Sequence, residues 1–229
     1  MYKNLFFDLD DTLYNFSDNS RQAYRTTFKE LNYERFFENF DTFYQIFQEK
    51  NLELWGLYGS QKISKEELNR IRFSYPLSCV GVNNPLIADE FGKSALDKLS
   101  RGTALMPYAK EILTYLKPGY NLYILSNGFK ELQSRKMESA GIDGFFNGIV
   151  LSEDIGVCKP HPAIFEYALK VTDSLPGESL MIGDNYDIDI QGAAGAGIDQ
   201  VYYCSEERRN FPVSPTFSIR SLCELRNFL

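Results

Sequence analysis

Four short stretches carry side chains that could do chemistry together. Asp8 and Asp10 stand two apart after the apolar run Leu5-Phe6-Phe7. Ser126-Asn127-Gly128 follows Leu122–Leu125, Gly183-Asp184 follows Leu180–Ile182, and Lys159 opens Lys159-Pro160-His161-Pro162. If the apolar runs are strands, alternation puts Asp8 and Asp10 on one side. Two carboxylates that close repel, so a cation or a shared proton is expected. Asp184 would add a third. Oxygen donors without His or Cys suit Mg²⁺, a hard ion that also binds substrate phosphate. Taken alone, Asp8-Leu9-Asp10-Asp11 reads equally well as a solvated strand end, and Lys159 alone as a surface lysine.

Positioning such groups requires strands whose ends converge. Leu5–Phe7, Leu122–Leu125, Gly148–Leu151, Leu180–Ile182 and Val201–Tyr203 are continuous apolar runs, as buried parallel strands are. Helical patterns alternate with them over Tyr108–Leu116, Glu131–Ala140, Pro162–Val171 and Asp187–Ala196. This alternation predicts an α/β fold with a doubly wound parallel sheet. In such a sheet, ligands bind beyond the carboxyl ends of the strands, where the polar residues stand.

More than 100 residues separate the first strand from the second. That span carries helical patterns and no convincing strand. Phe36, Phe40, Phe43 and Phe47 fall at helical spacing, widened by Phe37 and Tyr44, and read as helix-bundle core. Ser64 with Glu67 forms a capping-box pattern, and Asn84-Pro85 opens another helix running to Leu99. The expected organisation is a core of residues 1–14 and 101–229 with an inserted all-helical domain over 15–100. Met106-Pro107 marks the return to the core.

Composition excludes several classes. Hydrophobic residues make up 44% and charged residues 24% of the 229, with 18 Phe and 15 Tyr, as expected of a globular chain able to bury a core. No apolar run approaches the ~20 residues of a membrane helix. Asp8 interrupts the N-terminal apolar residues too early for a secretory signal, so a cytoplasmic protein is expected. Cys79, Cys158, Cys204 and Cys223 form no Cys-x-x-Cys pair and read as free thiols, and zinc is not expected. A net charge of −7 disfavours nucleic-acid polymers. A small anionic substrate remains compatible when a bound cation supplies positive charge.

The motifs, in their order, are similar to those of the haloacid dehalogenase-like (HAD) hydrolases. Asp8-Leu9-Asp10-Asp11-Thr12-Leu13-Tyr14 resembles the first motif and Leu125-Ser126-Asn127-Gly128 the second. Lys159-Pro160-His161-Pro162 resembles the third. Gly183-Asp184-Asn185, with Asp189 and Gly192 behind, resembles the fourth. The resemblance implies a HAD-like core with a helical cap and a phosphatase acting through an aspartyl-phosphate. Asp8 would be the nucleophile, and Asp10 would protonate the leaving oxygen and then activate water. Mg²⁺ would be held by Asp8, Asp184 and the backbone carbonyl of Asp10. Ser126, Asn127 and Gly128 would hold the phosphoryl group, Lys159 would neutralise Asp8 and the phosphoryl charge, and Asp189 would support Lys159 or a metal-bound water.

Asp10 favours phosphate esters over haloacids, because a halide leaves without a proton. Leu54–Tyr58, Lys62–Leu68 and Arg72-Phe73 resemble the cap of the pyrimidine 5′-nucleotidase branch, which implies nucleoside 5′-monophosphates as substrates. A broad small-metabolite phosphatase acting on phosphoglycolate or sugar phosphates is the alternative. A haloacid dehalogenase and an inactive interaction module rank lower. The expected partner is a small phosphorylated metabolite, with the chain a monomer or weak dimer. Trp55, Tyr58 and Phe73 could stack on a base but read equally as cap core. Arg72 could contact phosphate or sugar, but reads first as an exposed or ion-paired helix arginine. His161 reads as loop-positioning or exposed, and Asp187 as a solvated helix start. Gly192, Gly195 and Gly197 read as helix packing and termination, and Arg208-Arg209 as a solvated basic pair.

Overall fold

The structure, a computed structural model, describes residues 1–204 and 214–229. Arg208 and Arg209 lie outside the described residues. The described chain divides into two compact units, Met1–Phe16 with Thr103–Leu229, and Ser17–Gly102.

Strand β1 (Asn4–Phe7) opens the chain. Helices α1 (Phe16–Glu30), α2 (Phe40–Gly59), α3 (Lys65–Cys79) and α4 (Pro85–Ser100) follow. Then come α5 (Ala109–Leu116), β2 (Asn121–Ser126), α6 (Lys130–Ala140), β3 (Gly148–Leu151) and α7 (Pro162–Val171). The chain closes with β4 (Ser179–Gly183), α8 (Gln191–Gly195), β5 (Asp199–Tyr203) and β6 (Phe217–Ile219).

The six strands form one parallel sheet in the order β3-β2-β1-β4-β5-β6. β1 pairs Leu5 with both Leu122 and Leu180, so the strand order reverses beside it. The fold class is therefore the expected α/β doubly wound sheet, and β1 sits where such sheets bind ligands. Phe6, Leu125, Val150 and Met181 point to one face and pack against Ile164, Phe165 and Ala168 of α7. Leu5, Phe7, Ile124 and Ile182 alternate to the other face and are equally buried. Two elements escaped the sequence reading. β6 is only three residues long and has Ser218 at its centre. α1 buries polar Asn19, Ser20 and Thr27 on its inner face, which blurs its periodicity.

In the Ser17–Gly102 unit, the aromatic stripe is core. Phe37, Phe40, Phe43, Tyr44 and Phe47 cluster with Tyr24, Phe28, Tyr33, Phe73 and Phe91. The expected helix through Phe36 begins later, because Asn39 accepts the Thr42 N–H at 2.9 Å and caps α2. Phe36 and Phe37 precede it in a turn and still pack on the cluster. Ser64 and Glu67 form the expected capping box at α3. Asn84 caps α4 through the Leu86 N–H at 3.0 Å.

Candidate active site

The pleat dictates where Asp8 points. One residue beyond β1, its N–H still donates to the Ile182 carbonyl at 2.9 Å. Alternation then puts its side chain on the face of Phe6, the face α7 covers. Lys159 stands three residues before α7, with only 3% of its surface exposed. Its ammonium has three protons and three acceptors: Asp8 Oδ1 at 2.7 Å, Asp189 Oδ1 at 2.6 Å and the Leu125 carbonyl at 2.7 Å. The side-chain amide of Asn127 fixes the same residue from the backbone side. Its Oδ1 accepts the Lys159 N–H at 2.7 Å, and its Nδ2 donates to the Lys159 carbonyl at 2.9 Å.

After Asp8 the chain turns sharply. Asp11 adopts φ 58, a conformation Asp tolerates better than most residues, and its N–H donates to the Tyr14 carbonyl at 2.8 Å. The turn buries Thr12, whose hydroxyl donates to Asp184 Oδ1 at 3.0 Å. It also sends Asp10 to different partners from Asp8. Lys136 Nζ donates to both Asp10 oxygens, at 2.7 and 3.0 Å, and Gln133 Nε2 donates to Oδ2 at 3.0 Å. The cation expected beside the two carboxylates is thus met in part by two lysines, one for each.

Asp189 reaches the site by a local irregularity. The expected helix over Asp187–Ala196 is a π-helical turn, Tyr186–Ile190, followed by the short α8. Asn185 caps the turn through the Asp187 and Ile188 N–H groups, both at 3.1 Å, and its own N–H donates to Asp189 Oδ2 at 3.1 Å. Gly183 makes room for this, because a Cβ there would run into the Asp189 carboxylate. Asp187 is exposed, as expected.

Oxygens of Asp8, Asp184 and Asp189 lie within 4.8 Å of one another. Burial, then Asp189, pushes Asp184 up to about 7. Burial also drives Asp8 well above the carboxylate range. Lys159 pulls it down, while Asp189, Asp184 and Asp10 push it up. Burial alone would lower Lys159, but Asp189 and Asp8 hold it above its ordinary value and keep it charged. Three carboxylates face one ammonium. That electrostatic deficit and the all-oxygen donor set fit a hard divalent cation. Asp189 accepts through both of its oxygens, from Lys159 and from the Asn185 N–H, whereas Lys159 reaches Asp8, and Thr12 reaches Asp184, through Oδ1. The Asp10 side chain lies outside the cluster and bonds α6 instead.

Ser126, at the end of β2, accepts from the Gly128 N–H at 3.1 Å and from Gln133 Nε2 at 2.7 Å. Both lone pairs are engaged, which leaves its proton for an incoming acceptor. A Cβ at Gly128 would meet the Gln133 side chain, so a larger residue there would displace that amide from Ser126. Thus Asp8, Lys159, Asp184 and Asp189 form one charged cluster, and Asp10 and Ser126 are joined through Gln133. The sequence reading missed Gln133 and Lys136. Phe129, Gln133, Lys136 and Met137 share one helical face and all are buried, but two of the four are polar, so helical spacing alone did not mark that face as inward.

The other candidates resolve simply. His161 is exposed and caps α7 through the Ala163 N–H at 3.2 Å. Gly192 packs against Phe165 and the Pro160 backbone, and Gly197 follows α8 with φ 72. Phe73 belongs to the core of the helical unit, and Trp55 stands edge-on to Tyr58. Arg72 corrects its expectation of exposure or ion pairing. It is buried, bonded to the Asn69 side chain and set over Phe73, with no carboxylate partner among the described residues. Cys79, Cys158 and Cys223 are free thiols, as expected.

Residues 2–197 match the haloacid dehalogenase-like hydrolase family, and the chain belongs to it. It is 29% identical to the HAD-hydrolase YfnB of Bacillus subtilis (strain 168), over all of this chain and 95% of that protein. The crystal structure of YfnB bound to magnesium superposes with a TM-score of 0.87, covering 99% of this chain and 97% of that one. The pyrimidine 5′-nucleotidase YjjG of Escherichia coli (strain K12) is 30% identical over 98% of this chain and 96% of that protein. A glyceraldehyde 3-phosphate phosphatase of Pyrococcus abyssi is 32% identical over 89% of this chain and 82% of that protein. No helix of the described residues is long and apolar enough to cross a membrane.

Proposed function

We propose that this hydrolase is a Mg²⁺-dependent phosphomonoesterase acting through an aspartyl-phosphate, with nucleoside 5′-monophosphates as its preferred substrates. The observation that carries the reaction class is the buried Asp8–Lys159 pair, set among further carboxylates and accompanied by Asp10. Asp8 forms a bond to phosphorus as the ester P–O bond breaks, and Asp10 gives the departing alkoxide its proton. Water then attacks the phosphorus while Asp10 takes the water's proton. The Asp8–phosphorus bond breaks, and inorganic phosphate leaves. Ser126 donates its free proton to a phosphoryl oxygen beside the backbone of Asn127 and Gly128, and Lys159 offsets the negative charge that gathers there. Mg²⁺, held by Asp8, Asp184 and the Asp10 carbonyl, would screen the repulsion between an anionic nucleophile and an anionic phosphate.

The nucleotide preference rests on the cap-like segments around Trp55 and Arg72 and on the likeness to YjjG. The helical insertion over residues 15–100 is assigned the part of a cap that selects the leaving group. This rests on its place directly after the first motif and on its self-contained aromatic core. The likeness to a glyceraldehyde 3-phosphate phosphatase supports a second reading, a broad small-metabolite phosphatase. A phosphate-release screen separates the two. Nucleoside monophosphates, triose phosphates, sugar phosphates and phosphoglycolate are compared with and without Mg²⁺. A clear maximum on nucleotides is expected. A flat profile, or one led by triose phosphate, overturns the nucleotide preference; no phosphate release from any of them, with chloride release from chloroacetate in a separate assay, overturns the phosphatase reading.

A further inference from the structure

Lys136 is a buried ion that the proposed reaction leaves without a task. Only 3% of its side chain is exposed, and its Nζ stands 4.8 Å and 5.4 Å from the ring centres of Phe16 and Tyr14. Burying a lysine in such surroundings is costly unless a specific partner repays it. Its partner is Asp10, held through both carboxylate oxygens. One helical turn earlier, Gln133 is fully buried. Its single amide nitrogen donates one proton to Asp10 Oδ2 and the other to Ser126 Oγ. The opposite amide orientation would set Oε1 against the carboxylate, so donation fixes the nitrogen's place. Oε1 is left buried without a partner. That local cost indicates that the two donor contacts dominate the placement of this residue.

We propose that Lys136 and Gln133 are positioning residues for proton transfer. Together they hold the Asp10 carboxylate at a set distance from the Ser126 hydroxyl, and hence from the phosphoryl group and the oxygen that leaves it. This rests on the phosphatase reading, in which Asp10 protonates the leaving oxygen. Proton transfer needs its donor within hydrogen-bond reach of that oxygen, and small displacements cost rate steeply. An alkoxide needs the proton, whereas p-nitrophenolate departs well without it. Disturbing the anchors must therefore hurt alkyl esters selectively.

The test uses kcat/KM, which in a two-step route reports only the steps through leaving-group expulsion. It is measured for p-nitrophenyl phosphate and for the best alkyl phosphate of the screen, in wild-type, K136M, Q133M, D10N and D10N/K136M proteins. K136M is expected to lower the alkyl value about 100-fold and the aryl value less than about fivefold, within the range general acid catalysis contributes. Q133M, which removes no charge, lowers the alkyl value about tenfold with the same selectivity. Adding K136M to D10N changes the alkyl value by less than about threefold, because Lys136 acts through Asp10. Equal losses on both esters, or a full further loss in the D10N background, overturn the inference and leave the phosphatase reading standing. Wild-type protein that releases phosphate from neither ester overturns both.

Discussion

Asn127 and Lys159 are tied to each other twice, amide oxygen to backbone N–H at 2.7 Å and amide nitrogen to backbone carbonyl at 2.9 Å. A side chain from the end of one strand thus holds the main chain of a lysine that sits before α7. The lysine's ammonium can then meet Asp8, Asp189 and the Leu125 carbonyl at once.

Asn127→Ala removes both bonds and leaves two backbone groups to find water. We expect it to cost about 1–3 kcal/mol of stability and to lower kcat more than it raises KM. Urea unfolding and steady-state kinetics check this. An N127A protein with unchanged kcat would mean that Lys159 is held by its ammonium alone.

Lys159→Met and Asp8→Asn should both abolish phosphate release but move stability in opposite directions. K159M strands Asp8 and Asp189 in a buried site without their cation, a loss of about 3–5 kcal/mol. D8N removes one of the crowded carboxylates and is expected to leave the metal-free protein as stable as wild type or more so. Thermal melts in chelator decide this. A D8N protein much less stable than wild type would show that Asp8 is a net stabilising partner of Lys159.

The pH dependence follows from Asp184. Folding raises this group to about 7 from an ordinary value near ~4, so the folded chain holds its proton where the unfolded chain has lost it. Its contribution to metal-free stability is therefore full below about pH 4 and is lost as pH rises through about 7. A cation competes for the same oxygens. Mg²⁺ should thus raise Tm more at about pH 8 than at about pH 5, and D184N should flatten the response. Melting with and without Mg²⁺ across that range is the measurement. A magnesium shift insensitive to pH would contradict it.

Gly183→Ala places a methyl group against the Asp189 carboxylate. We expect a destabilisation of about 1–3 kcal/mol and a loss of turnover, because Asp189 must swing off Lys159. G183A/D189A should recover the stability without the activity. Failure of that double variant to refold the protein would place the strain elsewhere.

Which parts were legible in the sequence follows from burial. Asp8, Ser126 and Asp184 terminate apolar runs that are buried on both faces, so their positions announced both strand and crevice. Lys159 and Asp189 stand in a loop and an irregular turn, and only motif order pointed to them. Gln133 and Lys136 were hidden because α6 is polar along most of its length. Its inward face carries a glutamine and a lysine where an apolar pair is the usual expectation. Arg72 misled in a similar way, since a buried arginine with no carboxylate partner among the described residues breaks the rule that places charges outside.

The position of β1 also bears on how the chain assembles. Its neighbours in the sheet begin at Asn121 and Ser179, more than 100 residues downstream. The strand carrying Asp8 precedes the other five in the described sequence, yet its pairing is complete only once β4 has been made. The contacts of the Phe-rich helices lie within residues 17–102 and can form early. The centre of the sheet must wait for distant loop closures, and until Ser179–Gly183 is synthesised the apolar residues Leu5, Phe6 and Phe7 have one edge to shield.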